Sequence, residues 1–218
     1  MNKKTIIFDF DNTLVDSLKY WYYEMNNTTF RLYGLKPDKR MVELRKGKNN
    51  KEIVEIFLQL TGLKISSTEV FDCWYNLMYK NYTTKIKIIT GALDFLNNLK
   101  QQGKRLVLAT ATDLDLIQKV LPHFKLDIFD EIYTEKSLSA GKNNIKFFEN
   151  LLTKINEEPQ NIMFFEDSYE SILNARKANI DCCAIIHKFN KKHLTYFKEN
   201  CKLVIRNYKD KNLLNLDI

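Results

Sequence analysis

Little in this chain interrupts regular structure: 218 residues contain only three prolines and six glycines. That scarcity argues against collagen-like and Pro/Gly-rich disordered classes and suits a compact chain. Long apolar runs are missing too. None approaches the ~18 residues a membrane span needs. Met1-Asn2-Lys3-Lys4 leads straight into a strand-like segment, without the apolar stretch and cleavage site of a signal peptide. A soluble, cytoplasmic protein with no membrane partner is expected. Cysteine is sparse, at positions 73, 182, 183 and 201, with no Cys-x-x-Cys pair. Adjacent Cys182 and Cys183 would point to opposite faces of a strand, so neither a disulfide framework nor a zinc site is expected. The three histidines, 123, 187 and 193, show no ligand spacing.

Acidic residues are outnumbered, and the formal net charge is +7. The 34 Lys and Arg are scattered, and the richest cluster runs only from Lys188 to Lys198. A solvated Lys-rich surface explains this better than a nucleic-acid footprint, so no nucleic-acid partner is expected. A positive field also attracts small anionic substrates.

What is present is an alternation. KTIIFD at 4–9 is a short apolar run ending in acids, the pattern of a buried strand. Similar runs occupy 105–110 (RLVLAT), 131–134 (EIYT), 161–165 (NIMFF), 182–186 (CCAII) and 202–205 (KLVI). Helical patterns lie between most of them. Ala92, Phe95, Leu96 and Leu99 share one face, with Gly103 as a stop, and Ile145, Phe148, Leu152 and Ile155 share another. The order predicts an α/β fold with a doubly wound, mostly parallel sheet. Residues 16–85 differ, because helix follows helix with no strand. Leu18, Trp21, Tyr22 and Met25 form one apolar face. Ile53, Ile56, Phe57 and Leu60 form a second, and Val70, Cys73, Trp74, Leu77 and Met78 a third. Ser66 and Glu69 have capping-box spacing before this third helix. The expected division is an α/β core, 1–15 with 86–218, and an inserted helical domain, 16–85. Trp21, Tyr22, Tyr23 and Trp74 could form a dimer face, but packing within the insert is the simpler account. Nothing in the sequence sets an oligomeric state.

The strongest local signal is Phe8-Asp9-Phe10-Asp11-Asn12-Thr13-Leu14. Two carboxylates two residues apart at a strand end repel each other, and a hard divalent cation such as magnesium would compensate them. The plainer alternative is a solvated turn with an Asx cap. An EF-hand loop from Asp9 is excluded, because Leu14 and Tyr20 stand where glycine and glutamate are needed. A Walker A loop at Gly141-Lys142 is excluded by Lys136 and Asn143. Thr110-Ala111-Thr112 ends the second apolar run, where a hydroxyl can bond a phosphoryl oxygen. Lys142 precedes a helix and can supply one positive charge. Glu166-Asp167-Ser168 ends another run, a second acidic pair that could complete a cation site or cap the next helix. Each has an ordinary structural reading on its own. Their order and common placement at strand ends, where open parallel sheets bind ligands, point to one site.

These motifs resemble the haloacid dehalogenase superfamily, in its phosphatase branch with a helical cap after the first motif. FDFDNTLVDS matches the first motif, LVLATAT the second, the lysine of AGKNN the third and FFEDS the fourth. TGALDFLNNLKQQGKRLVLAT resembles the lead into the second motif. The first and fourth are the specific ones. The resemblance implies a magnesium-dependent phosphatase of small phosphorylated metabolites, phosphoglycolate phosphatase-like or nucleotidase-like, working through an aspartyl-phosphate. It implies that Asp9 attacks phosphorus, and that Asp11 protonates the leaving oxygen and later activates water. Thr110 would bind the transferring group, and Lys142 would offset its charge and orient Asp9. Magnesium would be held by Asp9, the Asp11 carbonyl and Asp167, with Glu166 acting through water. The cap would close over the site, with Arg45, Lys46 and Lys48 placed to read a second anionic group.

Three departures stand out. Ser171 occupies a position that is often glycine, Asn143 follows Lys142 where proline is common, and Thr112 could replace Thr110. A phosphomutase of the β-phosphoglucomutase type shares every catalytic residue named above, but the cap segment KGKNNKE lacks the arginine such mutases carry there. A phospho-accepting signalling module would lack both the insert of about 70 residues and the Asp-x-Asp. Asp11 argues against dehalogenation, whose enzymes lack an acid there.

Overall fold

A computed structural model describes residues 3–44 and 50–215. Strand β1 (Thr5–Phe8) comes first. A helical stretch follows, with a π-helical turn at Tyr20–Glu24 and helices α1 (Met25–Leu32), α2 (Arg40–Leu44), α3 (Asn50–Thr61) and α4 (Ser67–Thr84). The chain then alternates through α5 (Ala92–Gln101), β2 (Arg105–Thr110), α6 (Leu114–Val120), β3 (Glu131–Thr134), α7 (Ile145–Ile155) and β4 (Ile162–Glu166). It closes with α8 (Tyr169–Lys177), β5 (Asp181–Ile185), α9 (Leu194–Asn200) and β6 (Leu203–Ile205).

The six strands form one parallel sheet in the order β3-β2-β1-β4-β5-β6. This is the doubly wound architecture that the alternation predicts. Burial explains why the strands read as continuous apolar runs: β1 and β4 have no exposed residue, and helices cover both faces of such a sheet. Phe8 stands opposite Leu108 of β2 and Phe165 of β4. The ring of Phe8 stacks on Phe165 at 4.8 Å, and Phe95 and Tyr208 pack beside the pair. The sheet order reverses between β1 and β4, which opens a crevice at their carboxyl ends.

The chain divides into two compact units, Ser17–Lys87 and the remainder. In the α/β unit the chain leaves and returns side by side, with Val15 bridging Ile88 and the Ile89 amide donating to the Leu14 carbonyl at 2.7 Å. The helical unit has its own aromatic core. Phe30 packs edge-on against Phe57 at 5.1 Å, Phe57 packs against Trp74, and the Trp21 indole donates to the Tyr82 hydroxyl at 2.9 Å. Ser66 Oγ caps α4 by accepting from the Glu69 amide at 3.1 Å. Among the described residues, no helix is long and apolar enough to cross a membrane.

Candidate active site

The site is built at the carboxyl ends of β1, β2 and β4 and on the loop after β3. Asp9 continues β1, with its amide donating to the Phe165 carbonyl at 3.0 Å, and it is buried. The chain then turns sharply. Asn12 adopts a left-handed φ of 60°, which asparagine tolerates better than most residues. The Leu14 and Val15 amides both close back onto the Phe10 carbonyl. The buried Tyr208 phenol donates to the Thr13 carbonyl at 3.0 Å and pins this loop from below.

Lys142 lies across the centre. Its Nζ donates to Asp9 Oδ1 and, at 2.9 Å, to Glu166 Oε2. The loop carrying it is anchored by Glu135, whose Oε1 accepts from the Lys142 amide at 2.9 Å. A Cβ at Gly141 would stand 2.7 Å from Asn143 Oδ1, so that side chain would have to move. Burial pushes the Lys142 ammonium down, but Asp9 and Glu166 push it further up, so it stays charged.

Glu166 is completely buried and has four donors. Its Oε1 accepts from the amides of Asp167 and Ser168, at 2.9 and 3.0 Å. Its Oε2 accepts from Lys142 and from Ser171 Oγ, the latter at 2.7 Å. Burial alone would raise its carboxyl. Lys142 and these hydrogen bonds overcome that and hold it below the usual range. Glu166 thus lies at the heart of the site, in direct contact with Lys142. Ser171 fills the position that is often glycine and uses its hydroxyl on Glu166.

Asp167 faces the same point from β4. Single oxygens of Asp9, Glu166 and Asp167 lie within 4.8 Å of one another. Burial, then the charge of Glu166, pushes the carboxyls of Asp9 and Asp167 well above the usual range. One lysine does not balance three carboxylates, two of them buried and the third partly so. An all-oxygen donor set with surplus negative charge fits a hard divalent cation.

The two threonines have different partners. Thr110, buried at the end of β2, accepts the Thr112 amide on Oγ1 at 3.1 Å, and its own O–H proton makes no hydrogen bond among the described residues. Thr112 Oγ1 donates to Asp11 Oδ2 at 2.6 Å and so orients that acid. The basic residues Arg45, Lys46 and Lys48 lie outside the described residues.

Two contributors were not singled out from the sequence. His187 Nε2 meets Asp167 Oδ2 at 2.8 Å. Its Nδ1 accepts from the Phe189 amide at 3.2 Å, so in the neutral ring Nε2 carries the proton and donates it to Asp167. Burial lowers the His187 pKa, which favours that neutral ring. Asn190 accepts the His187 amide and donates to the carbonyls of Asp167 and Ile185 at 2.8 Å. The available signal was position: both residues follow β5 at the same sheet edge as Asp9.

An all-parallel sheet with acids and a lysine gathered at its switch point is an arrangement in which α/β proteins bind ligands. Residues 6–185 match the family model for haloacid dehalogenase-like hydrolases, and the chain belongs to that family. It is 27% identical over 191 residues to the phosphoglycolate phosphatase of Haemophilus influenzae (strain 86-028NP), covering 84% of each chain. It is 25% identical over 186 residues to the validoxylamine A 7'-phosphate phosphatase of Streptomyces hygroscopicus subsp. limoneus, covering 84% of this chain and 85% of that one. Its fold matches CbbY from Rhodobacter sphaeroides, crystallised with phosphate, at a TM-score of 0.83, with 19% identity and covering 99% of this chain and 100% of that one.

Proposed function

We propose that the protein is a magnesium-dependent phosphatase that hydrolyses small phosphorylated metabolites through an aspartyl-phosphate on Asp9. The observation that carries this reading is Lys142, which grips Asp9 and Glu166 together beside Asp167. Its family and its phosphatase-named relatives support the same chemistry.

Phosphoryl transfer asks a protein chiefly for positioning and charge neutralisation. In this reading an Asp9 carboxylate oxygen attacks phosphorus as the bond to the leaving oxygen breaks, and Asp11 hands that oxygen a proton. In the second half Asp11 takes a proton from water, which attacks the same phosphorus and releases orthophosphate and a regenerated Asp9 carboxylate. Thr112 holds Asp11 in position. The uncommitted Thr110 hydroxyl proton suits a phosphoryl oxygen, and Lys142 orients Asp9 while lending positive charge. Magnesium, held by Asp9, Asp167 and the Asp11 carbonyl, would neutralise charge on the phosphoryl oxygens. Glu166 anchors Lys142, and His187 orients Asp167.

The test is phosphate release from a panel of phosphomonoesters, with and without magnesium, by wild type and Asp9→Asn. The panel includes p-nitrophenyl phosphate, phosphoglycolate, sugar phosphates and nucleoside monophosphates. Magnesium-dependent release that vanishes in Asp9→Asn is expected. Absence of release from every ester by folded, metal-replete protein would overturn the phosphatase reading and leave intramolecular phosphoryl transfer to be tested.

A further inference from the structure

The basic cluster 188–198 plays no part in the chemistry above, yet the fold gives it a setting that the sequence hides. A cleft of about 730 Å³ opens at the carboxyl ends of β5 and β6. That volume is in the range of small-molecule sites. Lys191, Leu194 and Lys198 lie at helical spacing on one face of α9 and the turn before it, and they form one wall. Arg206 and Lys209, which follow β6, and Lys188, which follows β5, line the same cleft. Five cations therefore surround the opening, with Asp210 as the single carboxylate of the lining.

Several other cations of the α/β unit are ion-paired. Lys3, Lys100, Arg105, Lys142, Arg176 and Lys202 each meet a carboxylate within 4.0 Å. None of the five cleft cations does so among the described residues; Lys188 lies over the Phe189 ring instead. Like charges gathered without counter-ions repel one another, and this is relieved when an anion binds. The loop that presents Lys188 and Lys191 is not loose. Buried Asn190 ties it to the ends of β4 and β5 through the carbonyls of Asp167 and Ile185. Ile186, Leu194 and Val204 supply apolar lining.

We propose that this cleft binds a small organic anion carrying two or more phosphate groups, with its apolar body on Ile186, Leu194 and Val204 and its phosphates among the lysines and Arg206. The site is separate from the hydrolytic chemistry but shares a wall with it, because His187 both lines the cleft and bonds Asp167.

Calorimetric titration of the full chain tests this, with ATP as the probe and EDTA present to suppress turnover. Inorganic triphosphate, orthophosphate and adenosine are the controls. One ATP per chain is expected, with adenosine and orthophosphate at least about tenfold weaker and the affinity falling as salt rises. The pair Lys198→Glu with Arg206→Glu should weaken ATP at least about tenfold, as reversal of two contacting charges implies. Phosphomonoester turnover and thermal midpoint should be retained. If that pair fails to fold, Lys198→Gln with Arg206→Gln should still weaken ATP several-fold. Absence of ATP binding, or affinity unchanged in either pair, overturns the site. Triphosphate binding as tightly as ATP overturns the role given to the apolar lining. Tight binding of an oligonucleotide at these residues, with none of ATP, overturns the small-ligand proposal in favour of nucleic acid.

Discussion

The two edges of the sheet carry charge in opposite ways. At the amino edge, Asp181 at the start of β5 meets Lys3 and Arg176 at 2.8 Å and Lys202 at 3.8 Å. Arg105, at the start of β2, pairs with Glu131 at the start of β3. Both of these carboxylates have at least one cation. At the carboxyl edge, buried Asp9 and Glu166 and partly buried Asp167 gather around one lysine. At the first edge Asp181 and Glu131 are matched by cations. The second has negative charge left over, and a divalent cation would balance it. Similar residue types therefore hold strands in place at one edge and prepare for chemistry at the other. The difference lies in burial and in how many partners each charge has.

That contrast can be broken experimentally. The largest effect is expected from Asp9→Asn, which removes the proposed nucleophile: turnover should fall by about 10⁴-fold or more, while circular dichroism stays native. Lys142→Met comes next. It should lower turnover by about 10²–10³-fold and also lower the thermal midpoint, because buried Asp9 and Glu166 lose their shared cation. Stability unchanged in Lys142→Met would contradict the surplus-charge picture. Ser171→Ala and His187→Ala probe the partners of Glu166 and Asp167. Each should weaken magnesium binding by about 10- to 100-fold, read by calorimetry independently of turnover.

The amino edge should behave differently. Asp181→Asn should cost stability, on the order of 1 kcal/mol, with no change in turnover. Lys3 and its neighbours hold the Asp181 carboxyl below its usual range against burial. Its contribution is therefore complete above the unfolded carboxylate pKa of about 3.9. It disappears as pH falls through the lower folded value. The stability gap between wild type and Asp181→Asn should be flat near neutrality and should close in acid. A gap that widens in acid would show that the edge works otherwise.

Much of the α/β unit could be read from the chain. Six apolar runs, each followed or preceded by helical spacing, correspond to β1–β6 within a residue or so at their ends. Parallel strands buried on both faces are apolar throughout, which is why the signal is strong. The π-helical turn Tyr20–Glu24 left no such mark, since its spacing fits an α-helix equally well. Asp9, Asp11, Glu166 and Asp167 were visible because acids at strand ends are costly without a purpose. The Lys142–Glu166 contact, and the division of labour between Thr110 and Thr112, depend on side-chain reach across loops that periodicity does not encode. His187 was passed over for a related reason. Histidine spacing along the chain says nothing of a ring whose partner, Asp167, belongs to a neighbouring strand.

The most direct test of the central claim is to trap the intermediate. Wild-type protein would be mixed with a phosphomonoester labelled with ³²P on its phosphoryl group, in magnesium, then quenched in acid and mapped by peptide. The account predicts hydroxylamine-labile label on the peptide containing Asp9, and none in Asp9→Asn. Turnover that persists in Asp9→Asn, or label that maps to another residue, would contradict it.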